Sequence, residues 1–151
     1  MMGRDRQIRI CKVLIALNLC FIWGNSLMPA EISQAFSDGV KMLLSELISG
    51  NGTGAGGSGI LRKIAHFTEF AALGLLMQWL HVLMKKKDWH PLAWGAAAAC
   101  MDEIIQIFVP GRGPGILDVG IDVCGVLTGI VLLQTGYRLL RRNQHKTQWR
   151  K

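Results

Sequence analysis

The sequence predicts an all-α fold: a polytopic membrane protein built as a four-transmembrane-helix bundle, with a short amphipathic outer helix. Three observations predict it. Half of the 151 residues are hydrophobic and only 18% are charged, where soluble domains average about 25% charged. Four apolar stretches each approach the roughly 20 residues that a bilayer-crossing helix needs. Finally, 13 of the 17 lysines and arginines are confined to residues 1–12, 85–87 and 138–151. The length suits a single domain, residues 1–151. The composition excludes a disordered chain, which needs low hydrophobicity.

The first span is expected over residues 10–28, interrupted only by Lys12, Asn18 and Asn25. A basic start followed by an apolar run also describes a signal peptide, here with a cut after Ala30. The length of the run, its polar interruptions and Pro29 beside the cut favour a retained span. An outer loop follows over 29–61. In it Ile32, Phe36, Val40, Leu43, Leu44 and Leu47 recur at helical spacing, giving an amphipathic stretch that lies in the interface or packs on the ends of the spans. Residues 50–59, GNGTGAGGSG, form a flexible linker by composition. The second span is expected over 64–84 and the third over 91–109, whose sequence PLAWGAAAACMDEIIQIFV lacks the polar face of a soluble helix. The fourth is expected over 116–137, and a basic tail occupies 138–151.

Charge orients these elements. Short loops rich in Lys and Arg stay on the cytoplasmic side. The N-terminal segment, the Lys85–Lys87 connection and the tail therefore share that side, and both termini are cytoplasmic, as an even number of spans requires. The net charge of +7 is thus an imprint of topology. It says little about partners: Lys85 to Lys87 and the basic tail are topology determinants that also touch anionic membrane lipids, and nucleic acid is not an expected partner.

Ionisable groups inside membrane spans are costly, so each one calls for a reason. Near the start of the second span stand Arg62, Lys63, His66 and Glu69, the last two sharing a helix face. The third span carries Asp102, Glu103 and Gln106 ahead of a loop, PGRGPG, that holds Arg112. The fourth opens with Asp118 and Asp122, one turn apart. At about 1.5 Å of rise per residue, Glu69, Asp102 and Asp122 fall at similar depths in the outer half of the membrane. Five carboxylates there face His66, with Arg62, Lys63 and Arg112 at the rim. Taken singly, plainer roles fit: His66 and Glu69 as interhelical hydrogen bonds, Arg112 as a loop charge paired with Asp118, Lys63 as a snorkelling anchor. Taken together, the ten residues form a candidate ligand-binding site.

Cys11, Cys20, Cys100 and Cys124 lack metal-ligand spacing and sit in apolar runs. No cofactor or metal is expected from the sequence. Asn18, Asn25, Gln78 and His81 are expected to make interhelical or interfacial contacts. Gly125, Gly129 and Gly136 continue the face of Asp118 and Asp122, and Gly125-Val-Leu-Thr-Gly129 is a GxxxG that suits close packing of two spans, either within the chain or in a homodimer.

Two motifs bear a family resemblance: Arg62-Lys63-Ile-Ala-His66-Phe67-Thr-Glu69-Phe70-Ala-Ala-Leu-Gly74, and Asp102-Glu103-Ile-Ile-Gln106-Ile-Phe108-Val-Pro110-Gly111-Arg112 with Asp118 six residues on. In residue type, spacing and placement they resemble the signature of the VanZ-like family of bacterial membrane proteins, over roughly Ile10 to Tyr137. Asp122 departs from the pattern, standing where the family usually has Asn. The resemblance implies a small multi-pass protein of the bacterial cell membrane. It also implies a connection with teicoplanin resistance, from which the family takes its name. Glycopeptides of that kind bind cell-wall precursors on the outer face, the side on which the polar layer is expected.

Three functions are compatible with these features. A binding protein would hold a lipid or lipid-linked cell-wall precursor by its headgroup, with Arg112, Arg62 and Lys63 on phosphate. An enzyme acting on a lipid-linked substrate would use His66 with Glu69 as an oriented base, and the other acids as proton donors or oxygen ligands to a divalent cation, although their spacing fixes no metal. A transporter would relay ions along the acids, but four spans without an internal repeat and acids confined to the outer half weigh against it.

Overall fold

The computed structural model describes residues 3–49, 58–85, 90–113 and 115–148, apart from the side chains of residues 36, 37, 41, 43–49, 58 and 143–148. Those residues form five helices in the order α1 (Arg4–Ser26), α2 (Ala30–Ser49), α3 (Ser58–Met84), α4 (Pro91–Ile107) and α5 (Ile116–Gln148), with no strand among them. Three of the five, α1, α3 and α5, are long and apolar enough to cross a membrane. The chain is an all-helical membrane protein. The third expected span, 91–109, is a shorter helix of 17 residues. Pro110 disfavours helical backbone at the residue before it, and Phe108 caps the helix in its place.

Other limits also differ from the expected ones. α1 begins at Arg4, so the basic N-terminal segment is itself helical. α3 begins at Ser58 and takes in Gly59, so the helix starts inside the expected linker; residues 50–57 lie outside the described residues. The basic tail continues α5 as far as Gln148. No Gly or Pro follows Gly136, and Arg, Leu, Gln and Lys all favour helix, which explains the continuation.

α3 is central, packing on α5, α1, α4 and α2, while α4 also packs on α5 and α1. α1 buries Cys11, Ile22 and Ser26, which share one face because 11 residues make three turns and four make one. The core consists of Ile22 from α1, Phe70, Leu73 and Met77 from α3, Ala98 and Ala99 from α4, and Val126 and Ile130 from α5. Large apolar side chains on the outside, such as Val13, Leu17, Phe21, Ile104 and Leu132, are exposed. They form the surface that acyl chains cover in a bilayer.

Close packing of α3 on α5 rests on glycine. A Cβ added at Gly74 would run into the backbone of Val126, one at Gly129 into the carbonyl of Ala71, and one at Gly125 into the carbonyl of Phe67 at 2.5 Å. The GxxxG face is therefore occupied by α3 of the same chain, and Gly136, on the same stripe, meets nothing within 4 Å. Such contacts matter in a membrane, where apolar burial gives helices little reason to associate and fit must supply it. At the other end, the turn after α4 touches the start of α2: the Ala30 amide donates to the Pro110 carbonyl at 3.5 Å. Gly111 in that turn has φ of +76°.

Candidate functional site

Each buried stripe changes character at one level. On α5, Asp122 is one turn above Val126 and two above Ile130, and all three are buried. On α4, the face that buries Ala98 and Ala99 continues as Asp102, Glu103 and Gln106. On α3, the stripe of Phe70, Leu73 and Met77 runs up to Glu69, His66 and Arg62. Period-3.6 helices thus carry the apolar core upward into a polar cluster without any break in packing.

The cluster is partly wired by hydrogen bonds. The Arg62 guanidinium donates to Gln106 Oε1 at 2.8 Å. Gln106 Nε2 donates to Asp102 Oδ2 at 2.8 Å and reaches Ser26 Oγ at 3.4 Å. His66 Nδ1 is 3.7 Å from the same Asp102 oxygen, too far for a hydrogen bond but close enough for charge to be felt. Asn25 Nδ2 donates to Glu69 Oε1 at 2.9 Å. The Gly115 amide donates to Glu103 Oε2 at 2.8 Å, tying the loop to α4. Lys63 Nζ pairs with Asp118 Oδ1 at 3.3 Å, both side chains well exposed. An exposed pair of this kind contributes little to stability. Asp118 also turns back over the first turn of α5, where a carboxylate is favoured by the helix dipole.

The plainer reading of Arg112, a loop charge paired with Asp118, is not what is found: Lys63 takes that carboxylate. The Arg112 guanidinium donates instead to the Asn25 carbonyl at 3.0 Å. It is buried, and its Nε and second terminal nitrogen have no hydrogen-bond partner among the described residues. Burial, with Arg62 nearby, draws its pKa down from the usual arginine range, while Asp102 and Glu103 oppose that shift. One oxygen each of Glu69, Asp102, Glu103 and Asp122 is likewise buried without a hydrogen bond.

Two cavities meet at this cluster. One, of about 100 Å³, is lined by Arg62, Lys63, His66, Glu103, Asp118 and Asp122 among others. The other, of about 350 Å³, runs between Phe21 and Asn25 of α1, Met28 in the turn after it, and Arg62, Ala65, His66 and Glu69 of α3, with Arg112 at its wall. Arg62 and His66 belong to both and form the partition. All ten residues singled out in the sequence line one of these cavities or bond to a residue that does.

The model of one protein family, VanZ/LLP1, matches residues 12–140. The chain belongs to the VanZ/LLP1 family. No curated protein and no solved structure matches it. The matched region contains the whole cluster, from Asn25 to Asp122. In this VanZ/LLP1 protein α1 contributes more than the sequence suggests. Asn25 was expected to make an interhelical bond, and it makes one to Glu69; Ser26 and the Gly115 amide carried no sequence signal of their own. Serine is common in membrane helices, and a backbone N–H belongs to every non-proline residue. The residues best placed to hold a metal are His66, Asp102 and Asp122, whose ligand atoms all lie within 4.8 Å of one another.

Proposed function

We propose that this VanZ/LLP1 protein binds the phosphate-bearing headgroup of a lipid, or of a lipid-linked cell-wall precursor, at the outer leaflet of the bacterial cytoplasmic membrane. Through that binding it serves teicoplanin resistance or envelope maintenance. In this reading α1, α3, α4 and α5 all cross the bilayer and both termini are cytoplasmic. The 17 residues of α4 extend about 25 Å at 1.5 Å per residue. Exposed Phe108 and the following turn cover the rest of a hydrocarbon core of about 30 Å. The concentration of lysine and arginine at 1–12, 85–87 and 138–151 supports the orientation.

The observation that carries the reading is the larger cavity. Its Phe21, Met28 and Ala65 wall suits an acyl chain, and Arg62 and Arg112 stand at the same cavity. Arg112 brings two buried nitrogens without a hydrogen-bond partner among the described residues, and a guanidinium fork matches phosphate in shape and charge. Native mass spectrometry of the detergent-purified protein tests it. Wild type is expected to retain a phosphate-bearing lipid, and Arg112→Ala to lose it while accumulating normally in the membrane. Equal retention by the variant would overturn the reading.

A further inference from the structure

We propose that His66, Asp102 and Asp122 together bind one divalent metal ion of the Zn²⁺ or Mn²⁺ class. The three side chains come from three helices, α3, α4 and α5, and converge with their ligand atoms within 4.8 Å of one another. Ligand atoms bound tetrahedrally at about 2.1 Å lie about 3.4 Å from one another, so the three atoms, now within 4.8 Å, draw in by up to about 1.4 Å to complete the set.

Charge and burial support the site independently of that convergence. Asp102 is 0% exposed and Asp122 1%. Each has a buried oxygen, Oδ1, without a hydrogen bond, and His66 Nδ1 is buried in the same condition. The local cations are engaged elsewhere: Arg62 on Gln106, Arg112 on the Asn25 carbonyl, Lys63 on Asp118. Among the described residues neither aspartate has an ion pair with a lysine or arginine. Two dry carboxylates side by side are costly, and one divalent ion neutralises both. Gln106, donating to Asp102 Oδ2, holds that ligand from behind as an outer-shell partner does.

The donor set selects the ion. One imidazole with two carboxylates suits Zn²⁺ or Mn²⁺, whereas Mg²⁺ and Ca²⁺ favour oxygen alone. Three protein ligands leave a coordination position open. His66 and Asp122 both line the smaller cavity, so that position faces it.

The site is tested with metal alone, so its outcome is separate from that of lipid binding. Full-length protein in detergent is stripped with EDTA, incubated separately with Zn²⁺, Mn²⁺, Mg²⁺ or Ca²⁺, desalted, and its metal counted by inductively coupled plasma mass spectrometry. Wild type is expected to retain a single ion per chain. The near-isosteric Asp122→Asn, Asp102→Asn and His66→Gln should lose it, and Glu31→Gln, which lines neither cavity, should keep it. Size-exclusion profiles and helical circular dichroism identify variants that are folded. No uptake by folded wild type, or undiminished uptake by folded Asp122→Asn, would overturn the proposal; uptake of Mg²⁺ or Ca²⁺ in preference would overturn the assigned metal class.

Discussion

Asn25 and Glu69 show how a single polar contact earns its place between membrane helices. Asn25 Nδ2 and Glu69 Oε1 are 2.9 Å apart, joining α1 to α3. Interhelical hydrogen bonds of this kind contribute about 0.6 kcal/mol on average and up to about 1.7. Asn25→Leu is expected to cost an amount in that range, read from thermal unfolding in detergent. The double variant Asn25→Leu, Glu69→Met should recover part of the loss, since an unpartnered buried carboxyl is then absent. Gly111 poses a different demand, through its backbone. With φ of +76° and an added Cβ only 3.1 Å from that of Ala30, Gly111→Ala is expected to lose about 1–2 kcal/mol. Gly113→Ala, in open space, should leave the melting temperature unchanged. The identity of the polar residues was legible at this scale, because a charge in an apolar run is conspicuous. Their pairings were not: whether Lys63 or Arg112 meets Asp118 depends on how the loop turns and how α3 is rotated, neither of which spacing encodes.

At the level of helices, the contact between α3 and α5 is the one most dependent on shape. Gly74, Gly125 and Gly129 let backbone meet backbone, and Gly136 does not take part. Gly129→Leu is therefore expected to push the helices apart, lowering thermal stability and removing metal uptake at His66 and Asp122 together. Gly136→Leu should do neither, and a comparable loss in both would place the contact elsewhere. The GxxxG was readable as a packing device, but its partner was not, since a small-residue stripe fits a neighbour in the chain and a second copy equally well. Helix limits were readable where proline or glycine intervenes, as at Pro91 and Pro110. They were missed where apolarity stops and helix does not, as from Arg138 to Gln148. Hydropathy reports on the solvent, and helix propensity continues regardless of it.

For the whole molecule, the apolar exterior and the segregated basic residues are one design read twice. Single-cysteine variants test the proposed four-span arrangement. An impermeant maleimide is expected to label Gly113→Cys in intact spheroplasts of a chain lacking its native cysteines. Lys85→Cys and Arg141→Cys should react only after the membrane is opened. Labelling of Arg141→Cys from outside would mean that one of the four helices does not cross. The helical, apolar character of the chain was legible from composition; the count was not, since four long spans were expected and three of the described helices are long and apolar enough to cross. The joining of polar residues from four helices, α1, α3, α4 and α5, into one cluster required the packing, because each helix contributes only two to four of them.

The length of α5 has a mechanical meaning. Its 33 residues reach about 50 Å at 1.5 Å per residue, well past a hydrocarbon core of about 30 Å. An unbroken rod therefore carries Asp118 and Asp122 at one end and Arg138, Arg141 and Arg142 towards the other. Anything that draws the basic end down onto an anionic lipid surface tilts the same rod that holds the two acids. Between those two ends, Gly125 and Gly129 are pressed against α3.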